Sequence, residues 1–250
     1  MTNTRLKEFV NAMSLEGLAM PIINKGSGDT SNGDIKGRYE LMPQANTYAL
    51  GVEAVRTSAT LNPQHNGIYR PLTFKENIEA RVNDYNILKN PDGSERTAED
   101  RARFFNTWID SCTGIAFKKG SPLFKIINEC SELITIDSAF NEEYLPVDYS
   151  KLQGNELDSS KGTYDKGLTK EQVIEHESWI AALQGDKSLL KNYAEIVFNV
   201  KKGNELMGFY VRSNTGNDEL RALCVGSLAG DSNAGDWYLN GDARFLRVAQ

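Results

Sequence analysis

Gly235-Asp236-Trp237-Tyr238-Leu239-Asn240-Gly241-Asp242 and the run after it, Ala243-Arg244-Phe245-Leu246-Arg247-Val248-Ala249, settle the architecture of this chain. Residues 245–249 read as a strand. Two similar runs precede it, Leu-Met-Gly-Phe-Tyr-Val at 206–211 and Leu-Arg-Ala-Leu-Cys-Val at 220–225. Between the second and third runs, residues 227–242 are rich in Gly, Ser, Asn and Asp, with Trp237 and Tyr238 near their end. Such a segment buries little apolar surface of its own, so the flanking strands must display it. Two readings fit. A surface connection uses these residues for their backbone freedom. A recognition loop uses them because Tyr and Trp give stiff contact area and Ser, Gly and Asn give adaptable hydrogen bonds.

Working outward, the 250 residues are 40% hydrophobic and 25% charged, which describes an ordinary globular protein able to bury a core without staples. A net charge of -6 and a pI near 5.2 lack the basic balance of a general nucleic-acid binder. Cys112, Cys130 and Cys224 are odd in number and widely spaced, so they read as buried thiols rather than a disulfide framework or metal knuckle. The first ten residues hold no signal-peptide core and no run reaches the length of a membrane span. The expected location is cytoplasmic or, since assembly needs no such signal, virion-associated.

Local signals place helices and strands. Leu6, Phe9, Val10 and Met13 predict a short amphipathic helix over 4–14, residues 18–23 a short strand, and the Gly-rich stretch 26–34 a loop. A helix is expected from Ala45 onward. Thr73 and Glu76 form a capping box that opens a helix to about Leu88, ended by Asn90-Pro91-Asp92-Gly93. Thr97 opens the next, with Phe104, Phe105, Trp108 and Ile109 inward and Cys112-Thr113-Gly114 as its stop. Residues 123–127 and 133–136 predict strands, and the polar stretch 148–167 an excursion within one domain. Thr169 and Gln172 are a second capping box, predicting a helix to about Gln184 with Val173, Ile180 and Leu183 inward, followed by a short helix over 189–197.

Catalytic and metal signals are thin. His176-Glu177-Ser178-Trp179 begins like a zinc-protease helix, but Ile180 stands where the second histidine belongs, so His176 reads as a helix-surface residue. His65 reads as solvated. Gly226-Ser227 lacks the pattern of a nucleophile elbow. No catalytic residue, metal ligand or cofactor is assigned.

The end of the chain resembles the closing segment of C-type-lectin-like domains of the formylglycine-generating-enzyme type. Gly235-Asp236-Trp237 stands for the Trp after small residues, and residues 243–249 for the Arg-containing last strand. Among those domains are the variable proteins of diversity-generating retroelements, including an archaeal viral branch. There an error-prone reverse transcriptase rewrites adenine-rich codons into Asn, Ser, Gly, Asp, Tyr and Ala. The resemblance covers about the last fifth of the chain. It implies an α+β fold of small antiparallel sheets flanked by helices, a single domain over 1–250 with N-terminal elaborations, and a variable region with closing strand over 226–250. The ligand-binding residues it implies are Gly230, Asp231, Asn233, Gly235, Asp236, Trp237, Tyr238, Asn240, Gly241 and Asp242, with Trp237 outside the reach of the rewritten codons. Arg244 and Arg247 read either as anchors of the loop, through its carbonyls or acids, or as exposed strand-edge charges. The calcium triplets of sugar-binding lectins and the paired cysteines of the enzymatic branch are missing.

The leading expectation is a non-enzymatic recognition protein whose target is a macromolecule, a protein on a host or cell surface. A viral tail or capsid accessory protein is the alternative. An enzyme with a site assembled from distant residues is the third.

Overall fold

The computed structural model describes residues 39–60, 70–90 and 92–248. The readings at 4–14, 18–23, 26–34 and His65 lie outside them. In chain order the elements are β1 (Tyr39–Leu41), α1 (Tyr48–Thr60), α2 (Phe74–Asn86), α3 (Ala98–Arg101), β2 (Ile109–Phe117), β3 (Leu123–Ile127), α4 (Ser131–Ile134), β4 (Leu145–Pro146) and β5 (Asn155–Asp158). They continue as α5 (Lys170–Glu175), α6 (Glu177–Ala182), α7 (Lys187–Lys201), β6 (Phe209–Tyr210), β7 (Glu219–Val225), β8 (Ala234–Trp237) and β9 (Leu246–Val248).

The main sheet runs β5-β3-β2-β7-β8-β6, with β4 added beside the start of β7. Its pairs are antiparallel except β6 with β8, which is parallel. β1 and β9 form a separate antiparallel pair that joins the two ends of the described chain. Every residue of β2 and β7 is buried. One face of these strands packs under α2, α6 and α7 through Phe74, Ile78, Trp179, Tyr193 and Leu223. The other packs under α1 through Tyr48, Val52, Leu220, Ala222 and Phe245. Gly51 of α1 is small by necessity, since a Cβ there would stand 2.4 Å from the Phe245 ring.

Both capping boxes form as read: the Thr73 hydroxyl accepts the Glu76 N–H and the Thr169 hydroxyl accepts the Gln172 N–H. β3 and β7 also stand where their short apolar runs placed them. Elsewhere the structure corrects the reading. The helix opened by Thr97 lasts one turn and a short 3-10 turn, and Cys112-Thr113-Gly114 lies inside the central strand β2. β2 reads Ile-Asp-Ser-Cys-Thr-Gly-Ile-Ala-Phe with a small, polar middle, and a strand buried on both faces need not alternate, so the helix reading drew on Phe104, Phe105 and Trp108, which lie before it. Residues 131–134 are a helical turn, not a strand. The helix after Thr169 is two helices that break at His176, with extended backbone there. His176 is buried, not on a helix surface; its Nε2 lies 2.8 Å from the Thr163 carbonyl and its ring stacks on Phe209. The strand expected over 206–211 narrows to Phe209–Tyr210, and the supposed loop 227–242 contains β8.

Candidate functional site

Residues 227–233 leave β7 as a tight turn. The Ser227 carbonyl accepts the N–H groups of Gly230 and Ser232 at 3.1 and 2.8 Å. Asp231 and Ser232 both take left-handed backbone (φ 59 and 53). The chain then runs back along β7 as β8, with Cys224 opposite Gly235 and Ala222 opposite Trp237. Past Tyr238 it is pinned at Leu239, whose N–H reaches the Glu143 carbonyl and whose own carbonyl accepts the Tyr48 N–H.

The ten sequence-derived positions divide by what they touch. Asn233 turns inward and its Oδ1 accepts the Gly208 N–H at 2.6 Å. The Asp231 carbonyl accepts the Met207 N–H, and its carboxylate pairs with Lys201 at 3.2 Å. Asp236, 7% exposed at its side chain, pairs with Arg212 at 2.7 Å and lies 3.7 Å from Arg221. Gly235 sits against Tyr210, and a Cβ on Gly241 would come 3.2 Å from the Trp237 indole nitrogen. These groups hold the segment in shape. Trp237, Tyr238, Asn240 and Asp242 are displayed to solvent together, while Gly230 is exposed on the turn before β8.

Residues remote in sequence complete the face. Arg221, on β7, is buried with its side chain 2% exposed. A guanidinium cannot be buried unpaired; this one bonds Glu219 at 3.0 Å and the Glu143 carbonyl at 3.1 Å. It lies 5.3 Å from the Tyr144 ring centroid and 4.9 Å from that of Tyr238, while Arg212 covers Tyr238 at 4.5 Å. This stack fixes Tyr238. Trp237 is fixed separately, its indole N–H donating to the Asp242 carbonyl at 3.2 Å. Asp242 in turn accepts from the Gln44 amide at 2.6 Å.

The two arginines of the closing segment do not anchor the loop directly. Arg247 bonds Glu40 across the β1–β9 pair, at 2.8 and 3.0 Å. Arg244 donates to Gln44 and Thr107 and lies over the Trp108 ring at 4.5 Å. Neither touches a carbonyl or acid of the loop; Arg244 reaches Asp242 only through Gln44. The closing segment lacks spare partners because its neighbours in space are β1 and the start of β2. Asp110 supplies the deeper anchor. Its N–H donates to the Arg244 carbonyl at 2.7 Å and its Oδ2 accepts the Arg244 N–H at 2.9 Å. Burial pushes the Asp110 carboxyl up to about 7, against the downward pull of that hydrogen bond.

Arg221 carried a signal in the sequence, a lone charge inside a buried apolar run. Tyr144, Arg212 and Gln44 carried none, because only the fold brings them here. An open cavity of about 470 Å³ beside β4 is lined by Lys118, Lys119, Lys125, Asp148, Tyr149, Ser150, Glu156 and Asp218. Its carboxylates are engaged: Asp218 accepts the Lys119 and Tyr149 N–H groups, Glu156 the Tyr149 hydroxyl, and Asp148 the Ser150 hydroxyl. The three cysteines are buried and free, and burial pushes the thiols of Cys112 and Cys130 up to about 12. Among the described residues no His, Cys, Asp and Glu group is arranged to hold a metal, and no helix is long and apolar enough to cross a membrane.

No protein-family model matches the chain, and no curated protein matches it. Among solved structures it is similar to one described as "Accommodation of massive sequence variation in Nanoarchaeota by the C-type lectin fold". The TM-score is 0.59 at 17% identity, over 86% of this chain and 99% of the other.

Proposed function

We propose that this chain, whose α+β architecture is a C-type lectin fold, is a non-enzymatic target-recognition protein whose binding surface is the Trp237–Tyr238 face. We further propose that the exposed positions around that face are diversified by a retroelement, over a single domain spanning 1–250. The observation that carries this is the division of one short segment into inward and outward residues. Asn233 and Asp236 hold the scaffold, while Trp237, at the end of β8, and Tyr238, Asn240 and Asp242, in the turn pinned at Leu239, face solvent. Substitution at an exposed position clear of these contacts, Asn240 for one, changes stability by only about 0.5 kcal/mol. The similar structure, whose description concerns accommodated sequence variation, supports the same reading. The target would be a protein on a host or cell surface, met by aromatic anchors with polar readers around them.

An array of purified extracellular protein domains tests this. Wild type should hold at least one domain that Trp237→Ala and Asn240→Ala both release, with melting temperatures within about 4 °C of wild type. Domains held equally by wild type and variants would contradict the reading.

A further inference from the structure

We propose that the face takes an arginine or lysine side chain of its target, laid against the Trp237 ring beside Asp242, with the Glu142–Glu143 pair next to Leu239 adding negative charge. This rests on the face being a binding surface. It names the chemistry of the partner and brings in Glu142 and Glu143, which lie outside the C-terminal segment.

Trp237 is the free aromatic surface. It is 41% exposed, and its bond to the Asp242 carbonyl keeps the ring from swinging away. The Tyr238 ring is engaged by the Arg212 and Arg221 guanidiniums. Those two cations do not repel a third, because each is neutralised locally: Arg221 by Glu219, with Asp236 at 3.7 Å, and Arg212 by Asp236 at 2.7 Å. What remains uncompensated is negative. Asp242 is exposed and its carboxylate meets only the neutral Gln44 amide. The Glu143 carboxylate, 57% exposed, comes no closer than 3.9 Å to Arg221, and its backbone carbonyl fixes it beside Leu239. Glu142 is exposed and without a side-chain partner among the described residues. Against these three stands Arg244, turned toward Gln44, Thr107 and the Trp108 ring.

A cation over an indole face is attracted by the ring quadrupole, and a carboxylate beside it adds a charge-assisted hydrogen bond. The pair of effects selects guanidinium or ammonium over a neutral group. An acidic segment would meet uncompensated carboxylates instead.

The test is selection of a random-peptide phage library on the immobilised full chain, followed by titration of the selected peptides. Peptides enriched in Arg and Lys are expected. Binding should weaken about tenfold in Trp237→Ala and in the Glu142→Gln/Glu143→Gln double variant, and should fall with added salt. The double variant changes only exposed carboxylates and leaves the fold intact, which a melting curve checks. Neutral or acidic peptides that still depend on Trp237 would overturn the cationic partner and leave the binding surface standing. Peptides held equally by wild type and Trp237→Ala would overturn both, and an empty selection would overturn the cationic partner.

Discussion

Asp236→Ala separates the scaffold from the display surface. The substitution removes the carboxylate that pairs with Arg212 at 2.7 Å and lies 3.7 Å from Arg221. Removing one partner of a fully buried ion pair costs about 3–5 kcal/mol. Two features place the present case below that range. Arg221 keeps Glu219 at 3.0 Å and the Glu143 carbonyl at 3.1 Å, and Arg212, 36% exposed at its side chain, can be hydrated once released. The expected loss is about 2 kcal/mol, or about 4–8 °C in melting temperature for a chain of this size. Asn240→Ala, on an exposed residue of the same segment, should stay within about 0.5 kcal/mol. Urea unfolding of both variants measures the contrast, and a cycle with Arg212→Ala should return a coupling of about 1 kcal/mol between Arg212 and Asp236. An Asp236→Ala protein as stable as wild type would refute the reasoning, because the residue would then be free to act as a reader.

Further outcomes follow from the same geometry. Asp110, raised from the ordinary carboxylate range to about 7, adds stability that is complete below about pH 4 and lost as pH rises through 7; the full shift corresponds to about 4 kcal/mol. Asp110→Asn should therefore gain on wild type as pH rises from 5 to about 8 in paired urea titrations, and a flat difference would count against a buried, raised carboxyl. Gly51→Ala should cost about 1–3 kcal/mol despite alanine's better helix propensity, because the new methyl meets the Phe245 ring. Thr73→Ala should cost about 1 kcal/mol through loss of the cap on α2, measured by thermal unfolding.

What the sequence disclosed was what local chemistry writes. Thr73 and Thr169 each carry their own cap partner three residues on, and β7 presents a bounded apolar run. β2 was hidden for a tertiary reason. It lies between two helical layers, its register shifts between Asp110 and Gly114, and nothing within nine residues says that both faces are covered. β8 was hidden because Ala-Gly-Asp-Trp has little strand propensity. It is a strand because β7 on one side and β6 on the other offer backbone partners. At the site, composition singled out Trp237 and Tyr238 but could not separate Asn233 and Asp236, which hold the scaffold, from Asn240 and Asp242, which face solvent. Only partners such as the Gly208 N–H and Arg212 make that distinction, and neither is adjacent in the chain.

Deep sequencing of the codons for residues 226–250 across the source population tests the central claim most directly. The account predicts that codons for exposed positions such as Gly230, Asn240 and Asp242 vary at adenine-templated sites. Those for Asn233, Asp236 and Arg244 should stay fixed, since their side chains hold the segment to the fold. Codons across 228–242 as uniform as the rest of the gene would contradict it.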